Sequence, residues 1–266
     1  MDRSLLKNII IIILVLVNVF LLASLFMRQT SAVQFRRQTE EQLTELFAAD
    51  GMTLEKKAFS RKTPPSSLVL TRSSELEREV AAHFLGSSLI QEDQGGGTYT
   101  YTSHSGVARF RSNGSFEIAG ALSSGDVETL CRAFCKNFSY DSLEFDLNET
   151  GTGIATAIAV CNDLPVYNCS VTFTVNQGEL LTVSGTLLPR NSNPIVSETA
   201  PLSSTAALTI FQNVRREIGA VVSAVTELTL CYELQSSSTL SLAPSWCIVT
   251  DTMNYYVACT TGDVTS

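Results

Sequence analysis

Histidine is scarce in this sequence, which restricts the chemistry that the chain can perform. The 266 residues include two histidines, His83 and His104. Neither belongs to a Cys/His pattern with the ligand spacing of a zinc site, and no G-x-S-x-G motif is present. The serines therefore have no recognisable base and orienting group for nucleophilic catalysis, and only the fold decides whether two carboxylates converge. We expect a protein that is not an enzyme, with no catalytic residue, no metal and no cofactor.

A basic surface is also lacking. The chain holds 26 acidic and 18 basic side chains, a formal net charge of −8. The charge is uneven: residues 28–62 carry seven Lys or Arg against five Asp or Glu, a net +2, whereas residues from 120 onward carry five against fourteen, a net −9. Because no segment offers a basic face to phosphates, we expect no nucleic-acid partner. The acidity favours solubility and repulsion from an anionic surface.

Cysteines are present in an odd number, seven, so they cannot all pair within one chain. Cys131 and Cys135 are spaced to share one helix face. Two interpretations stay open for the set. Most of these side chains could serve as small buried hydrophobes, or an oxidising compartment could permit a bridge such as Cys161 to Cys169 across a hairpin.

Apolar residues are abundant near the amino terminus. Residues 9–27, IIIIILVLVNVFLLASLFM, contain no charge and one strongly polar residue. As a helix this run is about 28 Å long, close to a hydrocarbon core of about 30 Å. A cleaved signal peptide has a shorter apolar run before its cleavage site; residues 30–32 resemble such a site only weakly, and Arg28 follows the run directly. We predict a retained transmembrane helix.

The orientation of that helix follows from the chain on either side of it. Positive charges are almost balanced across the run. The eight-residue head easily stays in the cytoplasm, and a long chain after an N-terminal apolar segment normally crosses the membrane. We therefore expect a single-pass cell-membrane protein whose C-terminal bulk is extracytoplasmic.

Asn18, at the middle of the apolar run, is the strongest candidate for a functional residue. An unpaired amide at mid-bilayer is costly, and an interhelical hydrogen bond contributes about 0.6 to 2 kcal/mol. The amide could therefore drive association with a partner helix, or it could bond to its own backbone. Ala23 and Ser24 are small enough for close helix approach, although no GxxxG motif is present. The predicted partner-binding residues are Asn18, Phe20, Leu21, Leu22, Ala23 and Ser24.

The rest of the chain predicts an α+β fold. Residues 28–63 read as a juxtamembrane helix, 32–49, closed by Asp50-Gly51 and followed by a basic connector. Then one order recurs three times, a helix followed by antiparallel strands, in units at 64–120, 121–190 and 202–266, with a linker at 191–201. Each helix is expected to lie across its sheet, because each element has one apolar face to bury.

Local signals predict the elements of these units. Ser74-x-x-Glu77 forms a capping box for the first helix, apolar spacing predicts a second from Val127 to Phe138, and a third ends at Gly219. A short strand at 68–70 leads into the first unit. Trp246, Tyr255 and Tyr256 could form a binding surface, but core positions are more usual for them. Strand alternation predicts that Tyr255 and Val257 share one face and that Tyr256 lies on the other. Further strands are predicted at 98–102, 107–111, 115–118, 154–161, 169–175, 180–187, 224–233, 245–251 and 255–259.

Several stretches together resemble a known family. The opening Met1-Asp2 with Ser4 and Lys7 and the run into residues 18–22 resemble the start of YycI, a membrane-anchored regulatory protein of Gram-positive bacteria. The C-terminal region is similar as well, and the ending also resembles the PepSY-type repeats of cell-envelope proteins. The segments that carry this likeness are 164–168, 171–173, 176–180, 244–251, 255–257 and 261–264.

The resemblance implies a function without catalysis. YycI-like proteins act beside the cell-wall-linked sensor histidine kinase of the WalK (YycG) type, usually with a YycH partner, and tune that kinase through their membrane helices. The fold implied is a transmembrane helix followed by tandem helix-plus-antiparallel-sheet units of PepSY-like or cystatin-like type. The alternative is an anchored binding module for an envelope protein, a protease or a wall component.

Overall fold

The computed structural model describes residues 3–122, 125–196, 199–217, 219–236 and 239–266, without the side chains of residues 3–12, 15 and 22–33. Four helices alternate with fifteen strands in these residues. The helices are α1 (Arg3–Ala49), α2 (Ser74–Leu85), α3 (Val127–Phe138) and α4 (Ser204–Val214). The strands are β1 (Thr53–Leu54), β2 (Leu68–Thr71), β3 (Ile90–Asp93), β4 (Tyr99–Ser103), β5 (Gly106–Phe110), β6 (Ser115–Gly120), β7 (Tyr140–Leu147), β8 (Gly153–Cys161), β9 (Leu164–Asn176), β10 (Glu179–Thr186), β11 (Asn191–Pro194), β12 (Ala224–Ser236), β13 (Leu240–Thr250), β14 (Asn254–Ala258) and β15 (Val264–Thr265).

Helix α1 is one uninterrupted helix of 47 residues, about 70 Å long. It ends as predicted: Gly51 has a φ of 76°, and the Met52 N–H donates to the Phe47 carbonyl at 3.0 Å. The helix predicted at 32–49 is present, and it continues the helix that begins at Arg3. Among the described residues, none of the helices combines the length and apolarity needed to cross a membrane. The transmembrane helix at 9–27 stays a prediction.

The larger part of the fold is an eight-stranded antiparallel sheet in the order β3-β4-β5-β6-β10-β9-β8-β7. Its strands come from both 64–120 and 121–190, so these two predicted units share one sheet. Helices α2 and α3 cover one face of it, where Phe84, Phe116, Phe134 and Phe173 belong to one hydrophobic core. Phe134 lies at the centre of an aromatic cluster, 5.2 Å from Phe84 and 5.6 Å from Phe173 between ring centroids.

A second set of strands surrounds β13, which pairs with β12 on one side and with β2 and β14 on the other. Helix α4 packs on this set, and its core contains Phe211, Trp246 and Tyr255. The predicted strand at 68–70 is present, but it pairs with β13 and β11 rather than with the strands of the first unit. Residues 191–194 of the predicted linker form β11.

The two sets of strands join where β9 runs parallel to β12, with Val166 opposite Tyr232. Asn168 extends this pairing with its side chain. Its Nδ2 donates to the Leu234 carbonyl and its Oδ1 accepts from the Leu234 N–H, both at 2.8 Å. Residues 164–168, one of the segments that resemble YycI, therefore lie at the joint of the fold.

Most predicted elements are present, with four differences. The N-cap of α2 is Ser73, whose hydroxyl accepts from the Leu76 N–H, whereas Glu77 pairs with Arg72 instead of closing a capping box on Ser74. The predicted loop at 162–167 is a two-residue turn, since Asn162 and Asp163 both have positive φ, 50° and 61°, and β9 begins at Leu164. Helix α4 ends at Val214, before the predicted Gly219. Five strands were not predicted: β3 and β7 at the two edges of the larger sheet, and the short strands β1, β11 and β15.

All seven cysteines are free, and six of them are buried. Cys161 is opposite Leu164 across the tight turn, so it does not face Cys169 as the predicted bridge requires. Desolvation raises the pKa of these thiols, to about 12 for Cys131 and Cys169. The interpretation as small buried hydrophobes is confirmed.

The C-terminal aromatic residues also occupy core positions. Trp246 is fully buried, and its Nε1 donates to the Leu202 carbonyl at 2.8 Å. Tyr255 and Val257 share the buried face of β14, whereas Tyr256 lies on the other face and stacks on Tyr167 with ring centroids 3.7 Å apart. The alternation expected from sequence is confirmed.

Candidate functional site: the N-terminal helix and its junction

Asn18, the predicted centre of the site, lies exposed on α1. Its Nδ2 donates to the carbonyl of Leu14 at 3.0 Å, one helical turn earlier. This bond to the helix backbone is the second of the two arrangements that the sequence left open. An asparagine amide has two N–H donors and an oxygen acceptor. One donor is used here, so the second donor and the oxygen face no partner within the described part of the chain.

The apolar neighbours of Asn18 are exposed too. Phe20 exposes 72% of its surface and Leu21 53%, and nearby Ile13, Leu14, Leu16, Val17 and Val19 are each more than half exposed. The side chains of Leu22, Ala23 and Ser24 lie outside the described residues. No described residue covers these apolar side chains, and an exposed apolar patch of this kind is typical of a protein or membrane interaction surface. Its role in partner binding stays a prediction.

The opposite end of α1 is buried in the fold. Leu43 and Phe47, one turn apart, are 6% and 0% exposed, and both belong to the core that contains Phe211 and Trp246. Two other apolar residues of this part of α1, Phe35 and Leu46, are exposed. The buried contact of α1 with the core that contains α4 is therefore in its last two turns. We call the contact of Leu43, Phe47 and Asp50 with α4 and its C-terminal arginines the α1–α4 junction.

Charged side chains close the α1–α4 junction. Asp50 accepts hydrogen bonds from Gln212, from Arg215 at 2.7 Å and from Arg216 at 2.9 Å. The hydrogen bond from Arg215 lowers the pKa of Asp50, with the charge of Arg216 acting in the same direction and partial desolvation opposing them. Asp50 thus stays ionised at neutral pH, and the aspartate that ends α1 is tied to three side chains at and just beyond the end of α4.

The connector after α1 is attached to the same part of the fold. Thr53 pairs in parallel with Ala224 of β12, and the Ser204 hydroxyl donates to the Ser60 carbonyl at 2.8 Å. Arg36 of α1 reaches the Ser60 carbonyl at 3.5 Å and forms an ion pair with Glu40 at 3.0 Å. Residues 36–60 therefore hold the helix against the C-terminal unit at several separate points.

Other chemistry-bearing groups do not form a comparable site. Within the described residues, no set of three or more His, Cys, Asp and Glu side chains is placed to hold a metal ion. His83 is packed between Phe84, Phe134 and Phe138, and His104 is exposed on a β-turn. A cavity of about 200 Å³ lies between α2, α3 and the joint of the sheets, lined by Phe138, Cys161, Leu188 and Arg190 among others.

The α1–α4 junction was not predicted as a site. The sequence carried part of the signal, because Leu43 and Phe47 have the i, i+4 spacing of a buried helix face. The partner of that face could not be inferred, since Arg215 follows Asp50 by 165 residues. Such a contact depends on the tertiary fold.

Comparison with known proteins finds only distant matches among solved structures. No family model matches the chain, and no curated protein matches it. Among solved structures, an uncharacterized protein from Eubacterium rectale is 10% identical, with a TM-score of 0.45 over 81% of this chain and 89% of that one. YycH from Bacillus subtilis is 13% identical, with a TM-score of 0.37 over 76% of this chain and 56% of that one.

Proposed function

We propose that this chain is a membrane-anchored extracytoplasmic regulator that tunes a sensor histidine kinase of the WalK type, beside a YycH-like protein. The observation that carries the proposal is the continuity of α1, which runs as one helix from the apolar residues 9–27 into the core at Phe47. The likeness of residues 18–22 and of the C-terminal segments to YycI supplies the class of partner. The shared sheet of the first two predicted units and the C-terminal unit then form the outer part.

Helix α1 gives the outer part a rigid connection to the membrane. Phe47 is 20 residues beyond Met27 along an unbroken helix, about 30 Å. Rotation or displacement of the C-terminal unit is therefore passed to the apolar run instead of being absorbed by a flexible linker. Lateral association of α1 with a kinase helix would then be sensitive to the state of the outer units.

Asn18 provides the specific contact in this proposal. Its remaining N–H and its oxygen can bond across to a partner helix while the first N–H stays on Leu14. An interhelical bond of about 0.6 to 2 kcal/mol corresponds to a factor of about three to thirty in the association constant. Phe20 and Leu21 would supply apolar contact beside it.

The alternative function is an anchored module that binds an envelope protein, a protease or a wall component through its outer units. The cavity of about 200 Å³ beside α2 and α3 favours it, because its lining mixes apolar side chains with Arg190 and Asn162. In that case the essential contact is on the outer units and not on α1.

Substitution of Asn18 separates the two functions. We expect Asn18→Leu to lower co-purification of a WalK-type kinase with the full chain by about three- to thirty-fold, because the polar contact is lost. The matched control is Asn18→Leu with Val17→Asn, which keeps the polarity but turns the amide by about 100° around the helix. This control should not restore binding. Unchanged recovery of the kinase with Asn18→Leu would refute the proposed contact and favour the outer-unit alternative.

A further inference from the structure

A groove beside α1 has the charge and position of a membrane-surface contact. It measures about 370 Å³ and lies between Phe35, Arg36 and Thr39 of α1, the connector at 60–64 and the start of α4. Its lining contains three cationic side chains, Arg36, Arg61 and Lys62, and no acidic one. Phe35 at its rim exposes 73% of its surface. A cationic groove at this place suits the anionic phosphates of a headgroup layer.

The three cationic side chains of this groove differ in whether they already have a partner in the fold. Arg36 is engaged with Glu40 and with the Ser60 carbonyl. Arg61 and Lys62 are exposed, and in the described part of the chain neither forms an ion pair. The bond between Ser204 and Ser60 holds the connector so that these two side chains stay beside α1. The two charges are therefore available, and the backbone that carries them is held beside α1.

The distance from the apolar run places the groove at the membrane surface. Phe35 is eight residues beyond Met27, about 12 Å along the helix. The headgroup layer adds about 5 to 8 Å to each side of the hydrocarbon core. The groove then begins about 4 to 7 Å above the headgroups, within a Debye length of about 8 Å at physiological salt. A tilted helix would bring it closer.

The charge distribution of the whole chain agrees with this placement. Residues 28–62 have a net charge of +2, while residues from 120 onward have −9. An anionic bilayer attracts the first segment and repels the second, so the two effects act together on the orientation of the outer part.

We propose that the groove of Arg36, Arg61 and Lys62 binds anionic phospholipid headgroups of the bilayer that holds α1, and that this contact sets the orientation of the outer units over the membrane. The inference depends on the membrane anchoring in the proposed function. Its ligand is the phosphate-bearing headgroup of a lipid in that same membrane. Lipid composition thereby becomes an input to the orientation that α1 transmits.

The test uses the full chain in vesicles of phosphatidylcholine alone and of phosphatidylcholine mixed with phosphatidylglycerol. The single tryptophan, Trp246, is the fluorescence donor, and a dansyl-labelled lipid headgroup is the acceptor. We expect greater energy transfer in the anionic vesicles, with the difference decreasing as salt is raised. Arg61→Glu with Lys62→Glu should remove the difference, and Arg61→Gln with Lys62→Gln should reduce it.

The matched control reverses two cations on the larger sheet, Arg109→Glu with Arg111→Glu, an equal change in net charge. This control should keep the lipid dependence. Equal transfer of the unsubstituted chain in both lipids would overturn the inference, and so would loss of the effect in the control. Flotation with the vesicles separates this failure from failure of the anchor. A chain that floats but shows the same energy transfer in both lipids refutes the groove contact alone. A chain that does not float refutes the proposed anchoring.

Discussion

Phe47 is the residue on which the attachment of α1 depends most, and its truncation gives a measurable prediction. The side chain is fully buried in the core that also holds Phe211 and Trp246. Replacement of a buried phenylalanine by alanine costs about 3 to 5 kcal/mol, from lost transfer free energy and from the cavity left behind. We expect Phe47→Ala to destabilise the C-terminal unit by this amount. The loss is a large fraction of a total stability of about 5 to 15 kcal/mol.

Urea denaturation of the full chain in detergent measures this loss. Trp246 is the only tryptophan and lies in the same core, so its fluorescence reports on the unit that Phe47 stabilises. With an m-value of about 3 kcal/mol/M, the midpoint should fall by about 1 to 2 M. Phe35→Ala is the matched control, because Phe35 lies on the same helix but is 73% exposed, and its midpoint should change little. If the two variants had equal midpoints, α1 would not be held in the core, and the rigid connection to the apolar run would be refuted.

Two further predictions concern the other buried groups. Burial between Phe84, Phe134 and Phe138 lowers the pKa of His83 in the folded chain. As the pH falls, the unfolded chain therefore takes up the imidazole proton at a higher pH than the folded chain does. The free energy of unfolding should consequently decrease below about pH 6.5. In thermal melts from pH 7.5 to pH 5.5, the melting temperature should fall less with pH in His83→Gln than in the unsubstituted chain. His104→Gln, which replaces the exposed histidine, should leave that fall unchanged. An unchanged fall in His83→Gln would contradict the prediction. Burial also raises the pKa of Cys161, but this thiol is only half-buried, so iodoacetamide at pH 8 should label it before the other six, as mass spectrometry would show. Faster labelling of another cysteine, or an unchanged fast phase in Cys161→Ser, would contradict the burial order.

Local signals in the sequence were sufficient for the helices and for many strands. The apolar spacing from Val127 to Phe138 predicts α3 with the bounds that the structure has, and Asp126 and Ser139 end it on either side. Asp50-Gly51 correctly predicts the end of α1, because a glycine in the left-handed conformation is a purely local requirement. The alternation in β14 likewise predicts that Tyr255 and Tyr256 lie on opposite faces.

The differences occur where two local signals compete or where the partner is distant. Ser73 and Ser74 are both of a residue type that favours the N-cap, and Ser73 takes that position while Glu77 pairs with Arg72. Edge strand β3 ends in the charged residues Glu92 and Asp93 and lacks the apolar alternation of a half-buried strand. Edge strand β7 does alternate, with Leu143, Phe145 and Leu147 between charged residues, but this signal was not used in the prediction. They are strands because β4 and β8 offer them backbone hydrogen bonds.

One part of the candidate site could be predicted from the sequence, and the other part could not. The apolar run at 9–27 and its single amide, Asn18, are evident from sequence, because a long uncharged segment has a meaning that does not depend on its neighbours. The attachment of that helix to the fold is not evident, since Phe47 and Asp50 meet residues of and beyond α4 more than 160 positions later.

The sequence by itself determined the element types, the turns and the apolar N-terminal helix, since these follow from the spacing and conformational preferences of neighbouring residues. Only the tertiary structure decided that the first two units share one sheet, that Asn168 joins the sheets, and that α1 is fixed to α4 through Phe47 and Asp50. Those features depend on pairs that are distant along the chain. Their register and contact are selected by burial of the whole core and not by any single segment.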